Sequence, residues 1–284
     1  MGLGDDILVT AFAAKAKKKF PERQIVIGSL KKKHAHHSIV YENNPNIADC
    51  RKLDNTKEIH LIDYHPENRP YIDYENSTNR KYVWNLKYKA EPGELYFTKD
   101  ENEKAKKIIN EGINFWKDKN KSNKFKGIIF LETNSIKINH KNFAIKHLNK
   151  SWGENNWFDL VNELKGDYLF INSVHDHSFE IPEVFSPKSM DFRLACSIMN
   201  ECDIYVGPEG GFSHVAGALN KKAVVYYGGW ITPDVIGYEF HENLYFDHPQ
   251  SPCGLYRDIC EHCSQARKFI TVDTFSSSIK KLLP

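Results

Sequence analysis

The residues able to do chemistry fall into three groups. Between Asp203 and Gly229 the chain reads DIYVGPEGGFSHVAGALNKKAVVYYGG. Gly207, Gly210 and Gly211 make a turn, and Ser213 and His214 follow it. A glycine turn that opens a helix gathers free backbone N–H groups and the positive end of the helix dipole, which attracts phosphate or diphosphate. Ser213 adds a hydroxyl and His214 an imidazole donor at the same spot. The spacing is not the GxGxxG dinucleotide fingerprint, so a βαβ unit whose glycines only tighten the turn stands beside this reading. The second group is Asp5 and Asp6, after Gly2-Leu3-Gly4, in the first turn of a predicted helix, where carboxylates are favoured electrostatically. The third is a thiol cluster of Cys253, Cys260 and Cys263 with His262. A C-x2-C pair with a third Cys and a nearby His can bind Zn²⁺. His262 lies between two of the thiols, His248 or His241 are alternative fourth ligands, and reduced thiols or a disulfide rank ahead of metal on spacing alone. His34, His36 and His37 have no acidic or thiol partner at ligand spacing and read as loop histidines.

The elements that must hold these groups alternate between strand and helix. The glycine turn follows a short apolar strand over 204–206, a helix spans about 213–219, and a second strand spans 223–227. Near the N-terminus, a helix carries Ile7, Leu8, Ala11, Phe12 and Lys15 on one stripe and stops at Pro21. Strands are expected over 24–28, 37–41 and 58–64. The stretch 66–92 is polar and aromatic with weak periodicity and takes no assignment. Thr98 and Glu101 form a capping box that opens a helix through Ile108, Ile109, Ile113 and Trp116. The lysine-rich run 117–126 is read as a boundary between domains 1–122 and 123–284. The second domain opens with a strand over 127–131. A helix with Trp157, Leu160, Val161 and Leu164 follows, then a strand over 168–174 and a helix capped by Ser189. Residues 269–284 read as a short strand and a final amphipathic helix that can pack back on the first domain. Two such halves leave a cleft, ligands bind beyond the carboxyl ends of the strands, and both glycine turns would face it.

Composition narrows the partners. In 284 residues, 40% are hydrophobic and 13% aromatic, enough for two cored domains, and the net charge of +2 asks for no nucleic acid. Lysines cluster at 15–19, 31–33 and 117–126, as solvated surface or as a basic face toward an anionic membrane or glycolipid. No apolar run reaches the ~18 residues of a membrane span. There is no secretion-signal pattern, and Asp6 stands where a myristoylation motif wants Ser or Thr. A cytoplasmic protein, with peripheral contact at the inner membrane, is expected. Cys50, Cys196 and Cys202 are scattered, the last two as buried thiols.

Taken together, the motifs resemble glycosyltransferase family 9, the heptosyltransferase-like enzymes of lipopolysaccharide biosynthesis. Gly2-Leu3-Gly4-Asp5 resembles the family's GxGD turn. Asn149-Lys150-Ser151-Trp152-Gly153 resembles its Lys-x-Trp segment. Gly207 to His214, GPEGGFSH, resembles its GPDTGxxH signature, with an AxAL after it. The likeness covers most of the chain and is strongest from Asn149 onward. It implies a GT-B fold, two Rossmann-like α/β domains facing a cleft, here with the N-terminal domain lacking or truncated at its first strand. It further implies inverting, metal-independent transfer without a cofactor, from a nucleoside-diphosphate sugar, ADP-heptose among them, to a glycolipid, oligosaccharide or polysaccharide acceptor. On this resemblance Asp5 is the general base and Gly2 and Gly4 form the acceptor-side turn. Lys150, Gly210, Gly211, Phe212, Ser213, His214, Thr133 and Asn134 bind the donor diphosphate, and Glu209 binds sugar or ribose hydroxyls. Where the family usually has Asp-Thr-Gly, this chain has Glu209-Gly210-Gly211, which leaves the donor open. A nucleotide-sugar epimerase on the same plan, and a non-catalytic nucleotide-sugar-binding relative, remain as alternatives.

Overall fold

The structure is a computed structural model and describes residues 2–121, 124–133, 136–138, 144–146, 149–173, 181–188, 190–255 and 258–284. Helix α1 (Leu3–Lys19) begins at Gly2, and its first turns are buried nearly all round, from Asp5 to Ala11. The expected one-sided stripe is therefore not what forms. The helix lies between a strand of its own half and a helix of the other, so both faces need apolar cover. Strand β1 (Gln24–Ser29) pairs antiparallel with β2 (His34–Ala35) and parallel with β3 (Ile59–Asp63), giving a three-stranded sheet. The predicted strand over 37–41 is instead a 3-10 turn, Ile39–Tyr41. Ser38 Oγ accepts the Val40 N–H at 3.3 Å and donates to Asp6 Oδ2 at 2.8 Å, a local bond that competes with extended backbone. In the unassigned stretch, β4 (Ile72–Asp73) and β5 (Val83–Trp84) form a small hairpin. The Thr98–Glu101 capping box opens α2 (Lys99–Lys119).

The larger sheet is all parallel. It comprises β6 (Gly127–Leu131), β9 (Tyr168–Asn172), β10 (Ile204–Pro208), β11 (Lys222–Gly228) and β12 (Glu242–Tyr245), in the spatial order β12-β11-β10-β6-β9. A small hairpin, β7 (Ile136–Ile138) with β8 (Ala144–Lys146), follows β6 in sequence. The crossovers are α3 (Glu154–Leu164), α4 (Phe192–Glu201) and α5 (Gly211–Ala218). Their near-continuous apolar strands are those of a sheet covered on both faces. Ser189, expected to cap α4, lies outside the described residues; Asp191 caps it, its Oδ1 accepting the Leu194 N–H at 2.8 Å. The chain ends with α6 (Pro233–Ile236), α7 (Glu261–Phe269) and α8 (Val272–Leu282). Where a short strand was expected near 270, α7 ends and Thr271 caps α8, its hydroxyl accepting the Thr274 N–H. Helix α8 buries Phe275 and Ile279 against the larger half, packing on α3 and β11.

One core cluster lies wholly in the larger half, around Trp152, Trp157 and Phe275. The other runs across both halves, joining Ile7, Ile27 and Trp84 to Phe130, Val225 and Trp230. Helix α2 contributes Ala105, Ile109 and Trp116 to that shared core and packs on α4 and β9. Cys196 and Cys202 are buried, as expected. Among the described residues no helix is long and apolar enough to cross a membrane.

Candidate functional site

In the larger sheet the direction of winding reverses between β6 and β10, since β9 lies on one side of β6 and β11 and β12 lie beyond β10. A crevice opens beyond the carboxyl ends of two strands at such a reversal, and ligands bind there. Glu132 and Thr133 follow β6 at this point, and Glu209 and Gly210 follow β10. The Thr133 hydroxyl is buried without a hydrogen-bond partner, a polar group that a ligand could satisfy. Asn134 lies outside the described residues.

Helix α5 starts at Gly210, whose φ of 155° and ψ of −154° are open essentially to glycine alone. The Gly210 N–H donates to Ser213 Oγ at 3.1 Å, and that hydroxyl donates back to the Gly210 carbonyl at 2.9 Å. Two of the expected phosphate donors are thus engaged with each other. What remains at the mouth is the N–H groups of Gly211 and Phe212, which by position lack an intrahelical acceptor. The Phe212 ring packs between Phe130 and Phe192, with centroids at 5.3 and 5.5 Å, and pins the helix start. His214 is buried with Nδ1 2.9 Å from the Tyr238 hydroxyl. Burial, with Lys150 and His241 nearby, pushes its pKa down to about 3. The imidazole is neutral near pH 7 and braces the helix without adding positive charge.

That charge comes from Lys150. Its Nζ lies 2.6 Å from Glu209 Oε1 and 4.1 Å from the centre of the Trp230 ring. The Glu209 side chain is 1% exposed and the Lys150 side chain 17%, so the pair is buried with the ammonium nearer solvent. Glu209 holds a lysine here.

Helix α1 brings the second carboxylate to the same place. A Cβ at Gly4 would lie 3.2 Å from Gly211 Cα and 3.2 Å from His214 Cδ2, so the two glycine turns touch. Asp5, one residue on, accepts the Tyr71 hydroxyl at 2.6 Å on Oδ1, with Arg69 Nε 3.3 Å from Oδ2. Gly2 caps the helix, its N–H donating to Asp5 Oδ2 at 3.3 Å. Burial and the Asp5 charge hold the Tyr71 pKa well up, so its hydroxyl stays a donor. Asp6 points the other way, accepting Ser38 and Tyr41 hydroxyls at 2.8 and 3.1 Å, with His36 at 3.5 Å. Burial raises its pKa.

An aromatic path joins the two carboxylates. Tyr71 stacks on Trp84 at 6.3 Å, Trp84 meets Trp230 edge-on at 4.7 Å, and Trp230 carries Lys150. Sequence reading missed Arg69, Tyr71, Trp84 and Trp230. Three of them lie in or beside the 66–92 stretch, whose one readable signal was its density of aromatic residues. A cavity of about 310 Å³ between α2 and β9, lined by Phe115, Trp116, Tyr168 and Phe185, includes none of the candidate residues.

The thiol cluster lies beside this site. The ligand atoms of Cys253, Cys260, His262 and Cys263 fall within 4.8 Å of one another, all four residues buried. Cys253 Sγ is 3.4 Å from Cys263 Sγ, and Cys260 Sγ is 2.7 Å from His262 Nδ1. All six cysteines are free thiols. His262 Nε2 lies 3.2 Å from the Gly229 carbonyl, the kind of partner that fixes the tautomer of a metal-binding imidazole. The hydrogen bond from Cys263 lowers the Cys253 pKa and raises that of Cys263, so one thiolate is ready near neutral pH. His262, which lies between two thiols in sequence, is the second residue of α7, whose N-cap is Cys260.

In sequence the chain matches no protein-family model and no curated protein. In structure it is similar to glycosyl transferase family 9 from Veillonella parvula DSM 2008, with a TM-score of 0.60 and 13% identity over 99% of this chain and 94% of that one. It is also similar to the iron-containing dodecameric glycosyltransferase TibC from enterotoxigenic E. coli H10407, with a TM-score of 0.58 and 14% identity over 99% of this chain and 74% of TibC. A reversal point occupied by a glycine-opened helix, a facing N-terminal helix that starts on its own glycine turn, and these likenesses lead to one statement of architecture: the chain has the GT-B fold, in the form found in glycosyltransferase family 9.

Proposed function

We propose that this chain is an inverting glycosyltransferase that moves a sugar from a nucleoside diphosphate to a hydroxyl of a glycolipid or polysaccharide. The observation that carries the reading is the contact of the two glycine turns. It sets Asp5 one residue from the mouth of α5, at the reversal point of the larger sheet. In the proposed reaction the diphosphate lies at the Gly211 and Phe212 N–H groups with Lys150 beside it. These positive groups stabilise the charge that grows on the departing diphosphate. Asp5, oriented by Tyr71 and Arg69, takes the proton from the acceptor hydroxyl as that oxygen attacks the anomeric carbon. Thr133 supplies a further hydroxyl near the phosphates, and Glu209 shares Lys150 with the incoming donor.

The thiol cluster is assigned a structural metal ion. Three thiols and one imidazole suit zinc or iron, and TibC is described as iron-containing. When bound, the metal would cross-link the loop between β12 and α7 and take no part in sugar chemistry. ADP-heptose is the first donor to test, followed by other nucleotide sugars, with release of nucleoside diphosphate as the readout. Release that stops in Asp5→Asn and Lys150→Met supports transfer. Isomerised sugar without nucleotide release would indicate an epimerase, and binding without turnover a non-catalytic relative.

A further inference from the structure

The segment between the first and last thiol makes an unusual set of bonds with the residues around Lys150. Asn149, the residue before it, spends its whole amide on this loop. Its Nδ2 donates to the Leu255 carbonyl at 3.0 Å and the Asp258 carbonyl at 2.9 Å, and its Oδ1 accepts the Cys260 N–H at 2.9 Å. Trp230, the ring under the ammonium, is tied to the same loop. Its Nε1 donates to the Leu255 carbonyl at 3.0 Å, and its own carbonyl accepts the Gly254 N–H at 3.1 Å. The Cys253 N–H donates to Gly229, the residue before Trp230, at 2.9 Å. Across the cleft, the Tyr82 N–H donates to the Gly254 carbonyl at 2.9 Å, and Trp84 Nε1 donates to the Trp230 carbonyl at 2.9 Å. The approach is so close that a Cβ at Gly254 would sit 1.9 Å from the Tyr82 carbonyl oxygen, and Gly254 has φ 63°, so only glycine fits.

Among its described residues, the loop between Cys253 and α7 makes one isolated bridge, Lys81 with Leu255, and its buried side chains are the ligands Cys253 and Cys260. A metal held by Cys253, Cys260, His262 and Cys263 would join both ends of the loop at one point and freeze every bond named above.

We propose that the metal-bound loop is a strap that positions Lys150 for the donor diphosphate, acting through Asn149 on one side and Trp230 on the other, and that it ties the same assembly to the acceptor half at Tyr82 and Trp84. Asn149 is a positioning residue in this scheme. The inference rests on the reading of Lys150 as the diphosphate cation, but its geometric part can fail or stand alone.

The test uses the purified full chain. Elemental analysis is expected to give one zinc or iron per chain, and far less in Cys260→Ser; no metal in a freshly purified, folded wild type overturns the proposal. Chelator treatment of the wild type avoids dependence on a variant that folds poorly. After stripping, backbone hydrogen exchange at 149–152 and 229–231 is expected to speed up, with exchange in α3 and α8 unchanged. Unchanged exchange near Lys150 would overturn the strap whatever the protein binds. Calorimetry with ADP, UDP and the parent nucleosides gives the functional arm. Asn149→Ala is expected to keep its metal and lose roughly 10-fold in diphosphate affinity, the scale seen for residues that support a ligand from behind. Its affinity for the nucleoside should stay as in wild type. Equal loss for nucleoside and diphosphate would mean general damage and refute positioning. If the wild type binds no nucleoside diphosphate, the proposed function fails, while metal content and exchange still decide the strap.

Discussion

Lys150 and Glu209 offer the sharpest separation of structure from function. The Glu209 carboxylate is almost wholly enclosed and its cation is 2.6 Å away. Removing one partner of such a pair leaves the other charge buried and alone, which costs about 3–5 kcal/mol. Lys150→Met keeps the stem over Trp230 and removes only the charge. Because the ammonium retains some solvent access, the lower end applies, about 3 kcal/mol. For a chain of this size that is a fall in Tm of roughly 6–12 °C. Lys150→Met with Glu209→Gln removes both charges, and stability should return to within about 1 kcal/mol of wild type, since an ion pair replaced as a unit is often neutral. Diphosphate binding should not return. A charge-assisted bond to phosphate is worth about 1.5–3 kcal/mol, so both variants are expected to bind ADP or UDP roughly 10- to 100-fold more weakly. Urea denaturation and calorimetry on the same three proteins give both numbers. A double variant that regains affinity along with stability would refute Lys150 as the diphosphate cation, and a single variant as stable as wild type would refute the burial of the pair.

Asp5→Asn preserves shape and the Tyr71 contact; turnover in a nucleotide-release assay is expected to fall at least ~100-fold, with donor affinity close to wild type. Gly4→Ala places a methyl 3.2 Å from the Gly211 backbone, which cannot rotate away, and should cost about 1–3 kcal/mol in urea denaturation. Burial lowers the pKa of His214 to about 3 and of His241 to about 4 from the ordinary 6.5. Between those values and 6.5 the unfolded chain binds a proton that the folded chain refuses, so stability is full above pH 6.5 and declines as pH falls. The loss is roughly 2 kcal/mol for each histidine by pH 5. Asp6, whose pKa burial raises, acts in the opposite sense. Comparing urea midpoints at pH 7 and pH 5 in wild type and His214→Gln checks this: a variant that loses as much as wild type would show that His214 is not the group excluded from protonation.

The order of the main strands and helices from Gly127 to Gly228 was legible because each strand is a short apolar run bounded by glycine or charge, and each helix carries its own apolar face; the short hairpin after β6, and α6, β12 and α7 after β11, were not read. Asp5, Lys150 and the turn at 207–211 stood out because their spacing resembles a family pattern. The N-terminal half read less well for physical reasons. Its hairpin strands are two residues long, too short for any period to register. The segment at 37–41 looks β-rich, yet a serine hydroxyl decides its course. Helix α1 reads as amphipathic only if one ignores that another helix covers its second face. Arg69, Tyr71 and Trp230 could not be foreseen, because their places depend on contacts between segments 64 or more positions apart in sequence, as in Asp5 with Arg69 and Tyr71.

Where the pattern the chain resembles has Asp-Thr-Gly, this chain has Glu209-Gly210-Gly211; set against that pattern these look like two losses, yet each has a counterpart nearby in the structure. Position 210 occupies backbone that a threonine would enter only with strain, so the missing hydroxyl and the altered turn are one change. The Ser213 hydroxyl instead closes on both polar groups of Gly210 and fixes the turn. The Glu209 carboxylate reaches Lys150 at 2.6 Å. The mouth of α5 therefore offers less net positive charge than a free lysine would give. On the proposed function, an incoming diphosphate would have to share the Lys150 ammonium with Glu209, whereas a neutral ligand would gain nothing from that exchange. The pair would then act as an electrostatic filter, favouring doubly charged phosphate groups over uncharged ligands.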